Sequence, residues 1–215
     1  MFPALYAILD APNPESMETT LALAGKLVDG GVTLFQLRAK RATSRQLCEM
    51  SRSFRQWLES RPDRNSNPVK FIVNDRPDIA ALSGASGVHV GQQDLPPEES
   101  RKVCAPPLWV GVSTHNLEQL RAADRTSADY IAIGPIFATG SKENPDPVVG
   151  LEMIRGARKL TRKPLVAIGG ITVQSAGDVF RAGADSVAAI SDLSSASDPA
   201  RRAREYLEIA RSISR

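Results

Sequence analysis

A closed (β/α)8 barrel, one α/β domain over residues 1–215, is the fold that this sequence predicts, and three observations predict it. Short apolar runs alternate with helix-patterned stretches along the chain, eight of each. Most of those runs are continuously apolar, as strands are when a parallel sheet is covered on both faces. The length of 215 residues suffices for eight compact βα units with ample core. A doubly wound open sheet is the rival, but no Gly-x-Gly-x-x-Gly turn and no reversal point are found.

The first strand, 5–9, ends at Asp10. A helix over 17–28 sets Leu21, Ala24, Leu27 and Val28 at helical spacing and stops at Gly30-Gly31, a C-terminal signal. Strand two covers 32–37, and a helix over 43–58 carries Leu47, Met50, Phe54 and Leu58 on one face. Residues 61–68, RPDRNSNP, read as a polar surface loop. Strands three and four are Phe71-Ile72-Val73 and Val88-His89-Val90, and 77–82 between them has room for one or two helical turns. Prolines open the next helix, 96–103. Strand 109–113, helix 117–123 and strand 130–134 follow, then a longer loop over 135–147. The chain closes with helix 150–160, strand 164–168, helix 173–182, strand 186–190 and helix 199–213.

Bulk properties narrow the function. Hydrophobic residues are 42% and charged residues 24%, ordinary for a globular protein. A net charge of +3, dispersed along the chain, argues against nucleic-acid or membrane partners and leaves small anionic ligands. Cys48 and Cys104 lack metal or redox spacing and read as free thiols. No signal-peptide pattern and no membrane-length apolar stretch occur, so cytoplasm is the expected setting. A homo-oligomer is left open.

Parallel strands bring their C-terminal ends to one rim, where barrel enzymes keep their sites. Asp75 and Asp94 follow strands three and four and so share that rim. Two adjacent carboxylates repel unless a proton or a cation lies between them, and an oxygen pair suits Mg²⁺ with substrate phosphates. The plainer alternative makes Asp75 a helix cap and Asp94 a loop residue. Gln36, Arg38 and Lys40 alternate at the end of strand two, which puts all three on one face. Two cations and an amide there could grip a diphosphate. Gly169-Gly170 and Ile190-Ser191 end strands seven and eight, where barrels often bind phosphate through backbone N–H groups; Asp192 must then turn its side chain away. The long loop carries Thr139, Gly140, Ser141 and Lys142 and has the length of a lid or binding loop. His115, after strand five, suits proton transfer or a capping role, whereas His89 reads as a core residue with satisfied hydrogen bonds.

Gln36-Leu37-Arg38-Ala39-Lys40, Asn74-Asp75-Arg76, Gly87-Val88-His89-Val90-Gly91-Gln92-Gln93-Asp94, Gly111-Val112-Ser113, Gly134-Pro135-Ile136-Phe137 with 139–142, and 167–171 together resemble the thiamine-phosphate synthase family over nearly the whole chain. The resemblance implies a transferase that joins 4-amino-2-methyl-5-(diphosphomethyl)pyrimidine to a thiazole phosphate and releases pyrophosphate, with Mg²⁺. It implies that Gln36, Leu37, Arg38, Ala39, Lys40, Asn74, Ser113 and Lys142 bind the pyrimidine diphosphate, and that Arg38, Lys40 and Lys142 assist its departure. It further implies Asp75 and Asp94 as Mg²⁺ ligands, and Thr139, Gly140, Ser141, Gly170, Ile190 and Ser191 at the thiazole phosphate. Three positions depart from the family pattern: Ser141 in the Thr-x-Thr-Lys loop, Arg41 where an acid is common, and Asp192 where a small apolar residue is usual. The related thiazole tautomerases, which use a His at the position of His115, are the rival; a non-catalytic sensor of thiamine precursors is another.

Overall fold

A computed structural model describes residues 2–61, 68–140 and 146–213. The polar stretch over 61–68 lies largely outside the described residues. Eight parallel strands close into a barrel: β1 (Leu5–Asp10), β2 (Leu34–Arg38), β3 (Lys70–Asn74), β4 (Gly87–Val90), β5 (Trp109–Thr114), β6 (Tyr130–Ile133), β7 (Leu165–Ile168) and β8 (Ser186–Ala189). Each pairs with the next, and β8 returns to β1 with Val187 opposite Leu5. Around them run α1 (Met17–Asp29), α2 (Ser44–Ser60), α3 (Pro77–Leu82), α4 (Pro97–Val103), α5 (Leu117–Asp124), α6 (Gly150–Arg158), α7 (Val173–Arg181), α8 (Ser191–Ser194) and α9 (Pro199–Ile213). None is long and apolar enough to cross a membrane.

Three local differences from expectation have physical reasons. Strand two begins at Leu34 rather than at 32, because the Val32 N–H is taken by the Leu27 carbonyl (3.0 Å) in the turn that closes α1. The helix expected over 150–160 ends at Arg158, where Leu160 N–H bonds to the Ala157 carbonyl in a tighter turn. The short α8 was not anticipated: its residues, Ser-Asp-Leu-Ser, carry too little apolar periodicity to reveal one helical turn.

Strand alternation sorts the core into two shells. Tyr6, Ile8, Leu34, Ile72, Tyr130, Ala132, Val166 and Ala188 fill the barrel interior. Their neighbours in sequence, such as Leu5, Ala7, Phe35, Leu37, Phe71 and Val73, point outward and pack under the helices. Phe54 of α2 lies against Phe35 and Phe71 with ring centroids 6.1 and 4.7 Å away, which pins α2 across β2 and β3. Burying such a ring contributes roughly 2–3 kcal/mol. At the foot of the barrel Phe2 stacks on Trp109 at 5.4 Å, with the Lys70 ammonium 4.2 Å from the indole centre. The closed foot leaves the opposite, C-terminal rim as the open end.

Candidate active site

Outward Phe35 and Leu37 flank Gln36 on β2, so Gln36 turns inward, and Arg38 and Lys40 continue that face at the rim. Arg38 donates from Nη1 to Asp10 Oδ1 at 2.7 Å, the two residues being register partners on β1 and β2. Leu37 and Ala39 are buried on the outer side among the helices, so there only their backbone is available to the rim.

Lys40 Nζ lies 3.6 Å from Asp75 Oδ2. Asp75 holds the one positive φ among the described non-glycine residues, +64°, and its N–H donates to the His89 carbonyl at 2.8 Å. Such a strained conformation concentrates at functional sites. It caps no helix: the residue before α3 is Arg76, which makes no side-chain cap bond. Asp94 closes the Gly91-Gln92-Gln93 turn by accepting the Gly91 N–H at 2.7 Å, and its carboxylate comes within hydrogen-bonding reach of Asp75. Burial, and next to it the facing Asp94, push the Asp75 carboxyl up to about 6, against the pull of Lys40. Two carboxylates that strain against their own charge are a donor set fit for a divalent cation. Among the described residues no cluster of three or more acidic, His or Cys side chains forms a complete cage. An ion here would therefore take its other ligands from water and substrate oxygens, as Mg²⁺ commonly does.

Inside the barrel, below this rim, Gln36 Nε2 donates to the Tyr6 hydroxyl at 2.7 Å. The Tyr6 hydroxyl meets that of Tyr130 at 3.0 Å, and Tyr130 meets His89 Nδ1 at 3.0 Å. His89 Nε2 reaches Ser113 Oγ at 2.8 Å. His89 is thus a buried, doubly bonded residue, as its sequence context implied. Burial pushes its ring down to about 4, with Asp94 opposing, so it is neutral near pH 7. A folded-state value below the usual 6.5 means that the unfolded chain binds more protons between those limits, so this stability is complete above pH 6.5 and is lost as pH falls through 4. Relative to a His89→Gln variant, the wild type is expected to lose on the order of 3 kcal/mol between pH 7 and pH 4. Urea titrations of both proteins across that range check it, and parallel pH curves would refute it.

Gly170 (φ +61°) lies under the long loop, and a Cβ built on it would fall 2.2 Å from the Ala138 carbonyl, next to Thr139. Phe137 N–H bonds to the Gly169 carbonyl at 3.0 Å, which ties the start of that loop to the end of β7. Gly140 is described, whereas Ser141 and Lys142 lie outside the described residues. Ile190 precedes α8 and packs on the interior cluster, with Ser191 opening the helix. The Asp192 side chain turns toward α7 and α9. It accepts from Arg202 Nη1 (2.6 Å), the Tyr206 hydroxyl (2.8 Å) and the Val173 N–H (3.2 Å), tying α8 to α7 and α9. Asp192→Ala is expected to cost roughly 2–3 kcal/mol and Tyr206→Phe about 1 kcal/mol in chemical denaturation. Losses under about 0.5 kcal/mol in both would remove this tie from the account.

His115 is engaged at both ring nitrogens: Nδ1 meets the Gly134 carbonyl at 2.7 Å, and Nε2 lies 3.5 Å from Asp146. Sequence reasoning missed Asp10, Tyr6 and Tyr130. Their signal was parity: each lies at an inward position of its strand, the two tyrosines with hydroxyls in the closed interior and Asp10 at the rim.

The fold is a (β/α)8 barrel whose open rim carries Arg38 and Lys40, the paired carboxylates of Asp75 and Asp94, and Gly169-Gly170. The family described as thiamine monophosphate synthase matches residues 5–193. The thiamine-phosphate synthase of Koribacter versatilis (strain Ellin345) is 52% identical over 214 residues, covering 98% of this chain and 97% of that protein. That of Methanocella arvoryzae (strain DSM 22066 / NBRC 105507 / MRE50) is 40% identical, with 95% and 93% covered. The solved thiamine phosphate pyrophosphorylase from Pyrococcus furiosus superposes with a TM-score of 0.82 at 30% identity, covering 98% of this chain and 96% of its own. The chain belongs to the thiamine monophosphate synthase family.

Proposed function

We propose that the protein is a thiamine-phosphate synthase, a transferase that joins 4-amino-2-methyl-5-(diphosphomethyl)pyrimidine to a thiazole phosphate and yields thiamine phosphate and pyrophosphate. Family membership supports the reaction, and one observation of the site carries it: Lys40, Asp75 and Asp94 come together at the rim, with Gln36 four residues before Lys40 on the inward face of β2. A diphosphate at the rim with its ring toward the interior matches that layering of charge over neutral polar groups.

In this reading Gln36 and Asn74 orient the pyrimidine end and Ser113 donates to a diphosphate oxygen, while Arg38 and Lys40, with Lys142, draw the diphosphate from the ring methylene. Arg38 is held in place by Asp10 beforehand, so its positioning requires little reordering on binding. Asp75 and Asp94 would hold Mg²⁺, which when bound would offset the charge gathering on the departing diphosphate. The thiazole phosphate is assigned to the loop Thr139-Gly140-Ser141, Gly170, Ile190 and Ser191. The bond to the leaving group breaks, the thiazole nitrogen supplies the electron pair for the new C–N bond, and no general base is needed. Tautomerase chemistry at His115 has less support, since both of its ring nitrogens are already engaged. A cytoplasmic setting belongs to this reading too.

The test is an assay of the purified protein with both substrates, with Mg²⁺ and again with EDTA. Thiamine phosphate and pyrophosphate in equal amounts, only with Mg²⁺, are expected. Binding without coupling would instead favour the sensor or the isomerase, the latter to be assayed on thiazole isomers.

A further inference from the structure

Gln36, Tyr6, Tyr130, His89 and Ser113 form one continuous chain of four hydrogen bonds across the barrel interior. Tyr6 and Tyr130 are 1% and 0% exposed, and Gln36 and His89 are 3% and 8% exposed, so the chain is shielded from solvent up to half-buried Ser113. Gly111 makes room for it: a Cβ there would fall 2.0 Å from the Tyr130 ring carbon that bears the hydroxyl.

Counting protons restricts what this chain can do. Each tyrosine hydroxyl supplies one proton, and a neutral imidazole supplies one more. Four bonds need four, so the fourth comes from an end, either Gln36 or Ser113. If both ends donated inward, one buried proton would have no partner, which is costly. The two ends therefore take opposite polarity. Gln36 donates inward through Nε2 here. The protons then run from Gln36 through Tyr6 and Tyr130 to His89 Nδ1, and from His89 Nε2–H to Ser113. That order leaves the Ser113 hydroxyl proton available to a ligand oxygen, and it leaves the Gln36 carbonyl to accept from a ligand N–H.

We propose that Tyr6, Tyr130 and His89 are positioning residues that couple the two ends of the pyrimidine site, so that an anionic oxygen held by Ser113 obliges Gln36 to select a ring amine. This rests on the reading of Gln36 and Ser113 as binders of the pyrimidine diphosphate. The site thereby distinguishes the amino ring from an isosteric oxo ring, which brings an acceptor to a carbonyl that cannot turn over without reversing all four bonds.

The experiment compares kcat/KM for the amino substrate and its oxo analogue in the wild type and in Tyr130→Phe, which keeps the ring and removes the central hydroxyl. The wild type is expected to prefer the amine by roughly a hundredfold or more, and the variant by about tenfold or less. A general structural role would lower both substrates together and leave the ratio unchanged, and an unchanged ratio overturns the coupling. Turnover of neither substrate by the wild type would overturn the functional reading itself, and this inference with it. A second measurement needs no variant: the chain has two histidines, so ¹⁵N spectra of the histidine-labelled wild type resolve both rings. The proton of His89 is expected on Nε2, and a resting Nδ1–H tautomer would refute the assigned direction.

Discussion

Asp75→Asn and Asp94→Asn are each expected to lower turnover by about a hundredfold or more, with folding left intact. Asparagine keeps the shape of aspartate and tolerates the +64° φ of Asp75, so the backbone has no reason to change. At position 94 the amide oxygen can still accept the Gly91 N–H that closes the turn. What disappears is one of two carboxylates that burial and mutual repulsion make costly to ionise together. Without added cation, each variant should therefore unfold at the wild-type temperature or slightly above it, while activity collapses. Stability and activity moving in opposite directions is the mark of a site that stores strain for binding. Added Mg²⁺ should raise the unfolding temperature of the wild type, by binding linkage, and not that of either variant. Unchanged Mg²⁺-dependent kinetics in both variants would remove Asp75 and Asp94 from the metal assignment.

The barrel was legible because its strands are short, mostly apolar and followed by helical stretches, several with a clear start or stop. Gly30-Gly31 ends α1, and prolines open α3 and α4. The rim was legible for a related reason. A strand has period two, so the parity of Gln36, Arg38 and Lys40 follows from the outward burial of Phe35 and Leu37. Less was readable where function depends on contacts between distant strands. Nothing local in Leu5-Tyr6-Ala7 says that the Tyr6 hydroxyl meets Tyr130, 124 residues away. Likewise Asp192 beside a phosphate position looks misplaced in sequence, because its partners Arg202, Tyr206 and Val173 come from two other helices. A carboxylate with three donors around it is held toward α7 and α9 by those bonds, which no pattern within 190–194 encodes.

Gly170→Ala is the other substitution expected to have a large effect, and Gly140→Ala is its control. Both glycines belong to the region assigned to the thiazole phosphate, one at the end of β7 and one in the loop above it. A Cβ at 170 would lie 2.2 Å from the Ala138 carbonyl and 2.9 Å from the Phe137 Cβ, on a backbone with φ of +61°. The left-handed conformation costs alanine about 1 kcal/mol, and the overlap a further 1–3 kcal/mol, roughly. Backbone oxygen cannot move aside as a flexible side chain could, so the loop itself must lift. Thr139 follows Ala138 directly and has to move with it. Gly170→Ala is therefore expected to lose about 3 kcal/mol of stability and to raise KM for the thiazole phosphate at least about tenfold. KM for the pyrimidine diphosphate should change less, since its assigned groups other than Lys142 come from β2, β3, β5 and the turn after β2. At Gly140 a Cβ meets none of the described residues within 4 Å, so alanine there should stay within about 0.5 kcal/mol of the wild type. Thermal unfolding and the two KM values separate the cases. If Gly170→Ala matched the wild type in both, the loop would not depend on its seat at the end of β7, and the thiazole-phosphate site would have to be sought elsewhere on the rim.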